Sequence, residues 1–510
     1  MKFKDTFKYI ATFMLAFVLF ISCSDDNSSG TEQSEAPSVE TPAQSSGTVD
    51  DPLEITFNIT VSGGYASSAV TAENGTASII SEPAAGETSG SVVVEFTPTA
   101  IGTGTIELEI TDADGLTDDA TAIVNISNTI VVTDNITSDT TWKDGKTYVL
   151  GGRITVEAGA TLEIEPGVII KGEAGTGSNA SALLVARDAT LLADGSETQP
   201  IIFTSVADEI TPEDVDAGNF GSPNLDPDIQ GLWGGVIVLG NAPISAQNDN
   251  GDDVIEVQIE GIPSSDTNGL YGGNDAADGS GSLTYITIRH GGSNIGEGNE
   301  INGLTLGGVG TGTTISNIEV VANQDDGVEF FGGTVNVSNV LVWNNGDDAI
   351  DTDQAWAGTL DNVVIVSAGD SPFELDGPEG NYTSTGHTIT NATIYVQGNG
   401  AEEMIDVDDN TDVNMSNLFF FGLATDDNGD AANIISSDYP EYAANTNGYS
   451  ITGIEAVLPG GTSVTDYFTG GLDSEVTTVA DVSSATVGAD MSAFAFTWAN
   501  VSGALGSLGL

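Results

Sequence analysis

The sequence predicts an all-β protein in which a small antiparallel sandwich is followed by a solenoid of short parallel strands. Apolar and polar residues alternate in short runs between residues 50 and 131, and turn residues separate the runs. From about residue 135, strands of four to six residues recur at intervals in the twenties, and no stretch shows a helical period. Repeats at this spacing are typical of a solenoid.

Composition limits the classes of function. The chain has 510 residues, with 76 Asp and Glu against 9 Lys and Arg, and its formal net charge is -67. Nucleic-acid binding is excluded, because its affinity depends on Lys and Arg that neutralise phosphates. The single Cys excludes a disulfide framework and a thiolate zinc cluster. A hydrophobic fraction of 39% is enough for large buried cores.

The N-terminus has the features of an export signal. Lys2, Lys4 and Lys8 precede an apolar run over residues 9–21 that is too short to anchor the chain in a bilayer. The run ends in FISC, which resembles a bacterial lipobox, although Phe20 stands where Leu is usual, and the resemblance implies lipidation of Cys23. The SDDN that follows resembles the export tag of Bacteroidota surface lipoproteins. An ordinary signal peptide is the alternative.

This resemblance implies a signal peptide over residues 1–22 and a lipid anchor that holds the protein at the outer membrane, on the cell surface. Residues 23–49 are rich in Ser, Thr, Glu, Gly and Pro, and we expect a flexible stalk there. Residues 50–131 form the predicted sandwich. Its stretch ITDADGLTDDA resembles the final hairpin of immunoglobulin-like modules of bacterial surface proteins, which usually serve as spacers.

Residues 135–430 form the predicted solenoid, and residues 431–510 are expected to add further rungs and a cap. The stretches WKDGKTYVL, ATLEIEPGVIIKG, QPIIFTS and GLWGGV resemble the first rungs of right-handed parallel β-helices of the pectin-lyase-like type. The resemblance implies the fold rather than an activity. The segment MSAFAFTW at residues 491–498 is interpreted as a cap over the open end of the solenoid, which would otherwise expose a sheet edge.

One column of amides marks the repeat. The first and third residues after each Asn of this column are apolar, which predicts a strand face that points inward. We expect the amides to stack in a ladder at a strand boundary, where Asn tolerates left-handed backbone angles. The members, at spacings of 22, 23, 29 and 26 residues, are Asn317, Asn339, Asn362, Asn391 and Asn417.

The outward positions of the same strands include an aromatic column formed by Trp343, Tyr395 and Phe421. In register, these rings would form a ridge suited to stacking on the faces of sugars. Two alternatives remain open. A long loop or the C-terminal segment could cover the rings, or they could contact a protein partner.

Acidic residues recur in the turns with the period of one rung, as at Asp326, Asp348 and Asp370. Neighbouring rungs of a parallel β-helix lie about 4.8 Å apart, and aligned like charges destabilise a sheet. A hard cation such as Ca2+ would offset this repulsion through carboxylate ligands. Solvated turn carboxylates are the alternative. The candidate ligands are Asp325, Asp326, Asp347, Asp348, Asp351, Asp353 and Asp370.

The same acids resemble part of the site of the pectin-hydrolysing polygalacturonase family. The resemblance implies Asp326, Asp347, Asp348 and His387 as catalytic candidates, because inverting hydrolysis needs two carboxyl groups on either side of the bond. His387 lies more than one rung too far along the chain, and the family's basic Arg-x-Lys motif is absent. Arg289, predicted to face outward, is the one basic residue available nearby for lyase chemistry.

We therefore expect a cell-surface lipoprotein whose β-helix binds an extracellular ligand, in the first instance a glycan, with Ca2+ as the only cofactor considered. One alternative is a polysaccharide hydrolase or lyase that acts through Asp326, Asp347 and Asp348. The other is a structural protein that docks an outer-membrane protein partner. The sequence favours binding over catalysis.

Overall fold

The structure is a computed structural model that describes residues 35–248, 250–294, 301–396, 403–425, 431–432, 434–445 and 448–510. Cys23 and the export signal lie outside the described residues. The chain divides into two compact units, Met1–Ser127 and Asn128–Leu510. Within the described ranges, no helix is both long and apolar enough to cross a membrane.

The first unit is a two-sheet β-sandwich. One sheet has the strand order β1-β3-β6-β5 and the other β2-β8-β7-β4, and both contribute to a single core with Phe57 and Leu108 at its centre. The strands β1 to β8 are Ser38–Val39, Ser45–Thr48, Leu53–Thr60, Tyr65–Glu73, Gly75–Ser81, Ser89–Pro98, Gly102–Asp112 and Thr117–Ser127.

The structure corrects the expected stalk for residues 35–49. Strand β1 pairs with β3, and β2 pairs with β8. These strands contain few apolar side chains, but their backbone groups complete the edges of both sheets, and Val39 is buried in the core. Backbone hydrogen bonding therefore orders a stretch whose composition alone predicted flexibility.

The second unit contains short parallel strands and a few short helices. Helices α1 to α5 are Pro212–Asp216, Tyr439–Asn445, Val464–Tyr467, Trp498–Val501 and Ala504–Leu508, and 3-10 turns are Gly177–Asn179, Thr267–Gly269, Leu472–Glu475, Val482–Ser484 and Met491–Phe494. Strands β9 to β35 are Thr129–Val132, Thr140–Trp142, Thr147–Leu150, Arg153–Val156, Thr161–Ile164, Ile169–Gly172, Ala182–Val185, Thr190–Asp194, Ile201–Ser205, Val236–Leu239, Ala246–Gln247, Asp253–Val254, Val257–Gln258, Leu270–Tyr271, Gly281–Arg289, Leu304–Gly307, Thr314–Val321, Val328–Phe331, Val337–Trp343, Ile350–Asp353, Thr359–Val366, Phe373–Leu375, His387–Tyr395, Asp406–Val407, Val413–Phe421, Ser450–Ala456 and Val476–Thr478.

Two long parallel sheets form the wall of a parallel β-helix, as the sequence predicted. Eight strands, in the order β12-β15-β18-β24-β26-β28-β30-β32, form one sheet, and fifteen strands from β9 to β35 form the other. From β23 to β32, each rung contributes one strand to each sheet, whereas the first rungs contribute two short strands each to the fifteen-stranded sheet. The inward side chains of both sheets share one continuous apolar core, which supplies the main stabilisation of the unit.

The predicted ladder of amides is present at the bend within the long strands. All five Asn have left-handed φ values between 56° and 66°. Asn339 donates to Asn317 at 3.0 Å, Asn362 to Asn339 at 2.7 Å, and Asn417 to Asn391 at 3.0 Å. The ladder changes partner once, where Asn391 donates to Asp361 instead of Asn362.

Three segments cover the outside of the sheets. The segment that contains α1 packs Val215 and Phe220 against Ile169 and Ile202 of the fifteen-stranded sheet. An insertion that contains β19 to β22 packs Ile259, Ile262 and Tyr271 against the first strands of the eight-stranded sheet. Residues 486–510, which we call the C-terminal strap, run along the outer face of the fifteen-stranded sheet. The strap contacts Glu455 at its start and Glu319 further on. It therefore covers the side of the solenoid, whereas the sequence predicted a cap over one end.

Candidate functional site

The outer face of the eight-stranded sheet carries a row of carboxyl groups. Val328 and Phe330 of β26 point into the core, so the alternation of the strand turns Glu329 outward. The strand register then aligns four acids, one from each of four adjacent strands, about 4.8 Å apart. We call this row the acidic ladder, and its members are Glu329, Asp351, Glu374 and Asp406.

A second row of acids lies beside the ladder on the same face. Asp353 is the last residue of β28. Asp376 and Asp408 come directly after the last residues of β30 and β32, at the positions that continue the strand pairing. The two rows become more accessible along the solenoid, since Glu329 and Asp351 are each 8% exposed and Asp408 is exposed. The face therefore has a closed end near the insertion and an open end.

The turns before these strands add two buried carboxyl groups. Asp326 Oδ1 accepts a hydrogen bond from the backbone N–H of Asp348 at 3.0 Å, and Asp348 Oδ1 accepts one from the N–H of Ser371 at 2.7 Å. Each carboxyl group thus joins its own turn to the next rung. These two turn carboxyl groups lie next to the ladder.

The expected third member of this column, Asp370, does not belong to it. Ile350 pairs with Phe373, so this rung has 23 residues and Ser371 takes the position equivalent to Asp348. Asp370 is exposed and continues the row of Asp347, which is also exposed. An insertion of one residue in a turn is invisible to a fixed period of 22.

Three carboxyl groups converge at the closed end of the face. One oxygen each of Asp326, Glu329 and Asp351 lies within 4.8 Å of the others, and all three residues are buried. The Asn302 amide donates to Glu329. Asp351 Oδ1 and Asn302 Oδ1 are buried, and neither has a hydrogen-bond partner among the described residues. We call this group the carboxylate cluster. A second, more open group brings Asp326 together with Asp325 and Asp347.

Burial and mutual repulsion make these carboxyl groups weak acids. Burial, followed by the charges of neighbouring acids, raises the pKa values of Asp326, Glu329 and Asp351 well above their ordinary range. Burial, followed by the charge of Glu379, raises the pKa of Asp353 to about 8. No Lys or Arg is among the causes. Without a bound cation, the face must retain protons near neutral pH.

Asp348 and Glu374 form a hydrogen-bonded carboxyl pair within this face. Burial, followed by the charge and the hydrogen bond of Glu374, raises the pKa of Asp348 to about 9. Burial also raises the pKa of Glu374, but the hydrogen bond from Asp348 lowers it. Burial is the largest cause for both groups, so the pKa values of both are raised. Interacting carboxyl groups with raised pKa values are typical of sites that transfer protons.

His387 does not join the acids. Its side chain is buried inside the solenoid, 5.1 Å from the Trp356 ring and 3.4 Å from Thr352. Thr352 points inward, and its neighbours Asp351 and Asp353 point outward, so the sheet separates the imidazole from these two carboxyl groups. Of the second row, Asp376 lines a small cavity together with His387. Burial lowers the pKa of His387 to about 3. The position of His387 rules it out as a partner of the ladder acids.

The aromatic column is not an exposed platform. Trp343 and Phe421 are only 8% and 5% exposed, and Tyr395 is half-buried. The C-terminal strap packs on Trp343 and Tyr395, with Trp498 edge to face against Trp343, and Phe421 packs against Tyr395 and Phe419. The structure thus favours the alternative that the C-terminal segment covers these rings.

Arg289 faces outward, as predicted, but the same covering buries it. Its guanidinium is fully buried, 5.0 Å from the Trp498 ring and 3.9 Å from Asp208, and it donates to the carbonyl of Phe220. Arg289 therefore cannot serve as a base on an exposed substrate.

Sequence reasoning missed five members of the face. The acids that were not among the predicted ligands are Glu329, Glu374, Asp376, Asp406 and Asp408. The alternation of strands β26 to β32 could have revealed them, but β30 and β32 have only three and two residues. Strands this short give too little alternation to read from the sequence.

Comparisons with known proteins identify the fold. Residues 134–501 match a family described as "Pectate-lyase like beta helix domain". The chain also resembles the family 28 exopolygalacturonase of Yersinia enterocolitica at 12% identity and a TM-score of 0.23, over 87% of this chain and 90% of that one. This similarity is too low to indicate an activity for this chain. No curated protein matches the sequence.

Proposed function

The chain belongs to the pectate-lyase-like β-helix family, and on that premise we propose that it binds a neutral glycan along the acidic ladder. The observation that carries this proposal is the alignment of Glu329, Asp351, Glu374 and Asp406 on one outward face. The row offers hydrogen-bond acceptors at regular intervals, and the hydroxyl groups of a sugar chain would donate hydrogen bonds to them.

The charge of the chain supports a neutral ligand over an acidic one. In the described residues, Arg153, Arg187 and Arg289 pair with Asp266, Glu256 and Asp208, and none of these pairs involves a ladder acid. A polyanionic glycan would meet only carboxyl groups on this face, and its repulsion would weaken binding.

We also propose that Ca2+ binds at the closed end of the face. Ca2+ is bound in proteins by six to eight oxygen atoms, and the carboxylate cluster offers three carboxyl groups together with the unpartnered Asn302 Oδ1. Asp325, Asp347, Asp348 and Asp353 would surround this site, and Asp370 would not contribute. The ion would neutralise the negative charge of these carboxyl groups, which otherwise have to be protonated.

Hydrolysis of the bound glycan is the second candidate, and one observation favours it. Asp348 and Glu374 interact as a carboxyl pair, and burial raises the pKa values of both groups. Asp348 would act as the general acid and Glu374 as the general base that activates a water, once the bound glycan and the water separate the two carboxyl groups to the roughly 6.5–9.5 Å that inverting glycosidases use. This version of the site uses Asp348 and the adjacent Asp326, but neither the exposed Asp347 nor the internal His387.

The location of the protein is part of the same proposal. A lipid on Cys23 would hold the chain at the outer face of the outer membrane, and the sandwich, which resembles an immunoglobulin-like module, would serve as a spacer. A role in docking an outer-membrane protein is the remaining alternative. A glycan ligand is favoured because the acidic face is polar, whereas docking surfaces are usually apolar at their centre.

A panel of neutral and acidic polysaccharides tests the proposal. The full-length protein, with and without Ca2+, is assayed for retention on each polymer and for release of reducing ends. We expect retention on a neutral polymer that Glu374→Gln and Asp348→Asn weaken at least tenfold. Asp370→Asn is the matched control, because it removes the same charge from an exposed position outside the column.

The outcomes separate the two candidates. Retention without product, lost in Glu374→Gln, supports binding alone. Release of reducing ends, abolished by Asp348→Asn at unchanged retention, establishes hydrolysis. Equal retention of the wild type, Asp348→Asn and Glu374→Gln on every polymer would refute the ladder as the site.

A further inference from the structure

A second polar cavity lies on the opposite sheet, against the C-terminal strap. Its volume is about 410 Å³, within the roughly 300–1,000 Å³ typical of small-molecule pockets. Asp214 of α1, residues 218–223 after it, and Trp498, Val501 and Ser502 of the strap line it. None of the ladder acids contributes to this cavity.

Trp498 is the fixed wall of the cavity. The strap holds its backbone, since the N–H groups of Trp498 and Ala499 both donate to the buried Glu319 carboxyl at 2.9 Å. Its ring lies edge to face with His290 and Trp343. The Trp498 side chain therefore cannot change its rotamer without breaking several contacts.

The free edge of this ring points toward the cavity loop. A Cβ atom added to Gly221 would lie 2.7 Å from Trp498 Nε1, so only a glycine lets the loop approach the indole this closely. No described residue accepts a hydrogen bond from this Nε1–H, whereas Trp233 and Trp356 donate theirs to the carbonyls of Arg289 and Val335. A donor is thus left available at the cavity wall.

The other lining groups are neutral donors and acceptors with one acid. Asn219 is exposed, and its side-chain amide makes no hydrogen bond within the described part of the chain. Asp214 uses Oδ2 to cap α1 through Thr211, which leaves Oδ1 as an acceptor. Ser502 adds a hydroxyl group. Rigid aromatic contact combined with adjacent donors and acceptors suits a ring that carries several hydroxyl groups.

We propose that this cavity binds a single neutral hexose ring. The carboxyl group of Asp214 would accept from one hydroxyl, and the Trp498 indole N–H and the Asn219 amide would donate to others. Phosphate and carboxylate ligands are disfavoured because Asp214 faces the same space. The proposal is independent of the acidic ladder, since the two sites share no residue.

Indole resonances test the proposal directly. The 15N-labelled full-length protein is titrated with the methyl glycosides of glucose, galactose and mannose, and the tryptophan Nε1–H signals are followed. The Trp498 signal is identified by its loss in Trp498→Phe. We expect it to shift in a saturable manner with at least one glycoside, while the signals of Trp233 and Trp356, whose N–H groups are bonded internally, stay in place.

Asn219→Ala is the decisive variant, because an exposed side chain without partners can be removed without unfolding the protein. Loss of one hydrogen bond should weaken the affinity by roughly threefold to tenfold, and Asn125→Ala on the sandwich is the control. Absence of a Trp498 shift up to about 100 mM sugar, or an unchanged affinity in Asn219→Ala, would overturn the proposal. Asp348→Asn should leave this titration unchanged whatever its effect at the ladder.

Discussion

Asp326 Oδ1 accepts the backbone N–H of Asp348, one rung further along, at 3.0 Å. The bond links two turns through a carboxyl group that lies within 4.8 Å of two other carboxyl groups. The fold therefore uses an acid as a structural acceptor in a place where negative charge is already concentrated. Its stability should depend on what neutralises that charge, whether protons or a cation.

The first prediction concerns pH. Folding raises the pKa of Asp348 to about 9 and that of Asp353 to about 8, so the unfolded chain gives up these protons at lower pH than the folded protein. The contribution of these groups to stability is greatest below the unfolded pKa and is lost as the pH rises through 8 and 9. In EDTA, we expect the melting temperature to fall between pH 7 and pH 9.

The histidines titrate mainly below this window, because the pKa values of His290 and His387 are lowered in the folded protein and the pKa of an unfolded histidine is about 6.5. Each kcal/mol lost corresponds to a shift of roughly 2–4 °C for a domain of 150–250 residues, and to a smaller shift for a unit as large as Asn128–Leu510. Asp353→Asn should melt with a flatter profile than the wild type. A melting temperature that rises from pH 7 to pH 9 would contradict the prediction.

The second prediction concerns Ca2+. If the ion binds the carboxylate cluster, Ca2+ at about 100 times its dissociation constant should stabilise the protein by about 2.7 kcal/mol, measured as an increase in melting temperature at pH 8. Glu329→Gln and Asp351→Asn should lose most of this increase. Asp370→Asn should keep it, and an equal loss in all three variants would point to non-specific screening.

The third prediction concerns the amide ladder. Asn339 donates to Asn317 and accepts from Asn362 at a φ of 57°. Asn339→Ala should destabilise the protein by about 3–4 kcal/mol, about 1 kcal/mol for each of the two hydrogen bonds and about 1–2 kcal/mol for a left-handed alanine. Asn339→Gly loses the bonds but not the backbone conformation, so denaturant titration should find it more stable than Asn339→Ala. Equal stability of the two would refute a cost from the backbone.

The fourth prediction concerns the C-terminal strap. Removing residues 490–510 would uncover Leu341, Trp343 and Val364 on the side of the solenoid. We expect the shortened protein to bind a hydrophobic dye and to associate, as judged by light scattering. Glu319→Ala should do the same more weakly, because it leaves the N–H groups of Trp498 and Ala499 without acceptors. A truncated protein that stays monomeric and binds no dye would argue against this role.

The fifth prediction concerns the N-terminus. If Cys23 is lipidated, palmitate label should be incorporated into the wild type and be absent from Cys23→Ser, which should also leave the membrane fraction. Surface protease should digest the wild-type protein in intact cells. Incorporation of label into Cys23→Ser would refute the assignment, since Cys23 is the only cysteine in the chain.

Much of the candidate site could be located from the sequence, but its members could not all be identified. Asp326 and Asp348 were predicted to share a column, and they do. The prediction that Asp370 belongs to this column was wrong, because one rung has 23 residues and Ser371 takes the equivalent position. Glu374 and Asp406 were missed because β30 and β32 are too short to reveal which way their side chains point.

The sequence by itself determined the class of fold and the repeat. Alternation and the recurring Asn are local, and the inward apolar residues and the left-handed Asn depend only on their own rung and the next one. Only the tertiary structure decided what covers each outward face. The strap reaches Trp343 from a point more than a hundred residues away in the chain, and no local pattern encodes such a contact. That covering removed the aromatic column as a site and left the acidic face open.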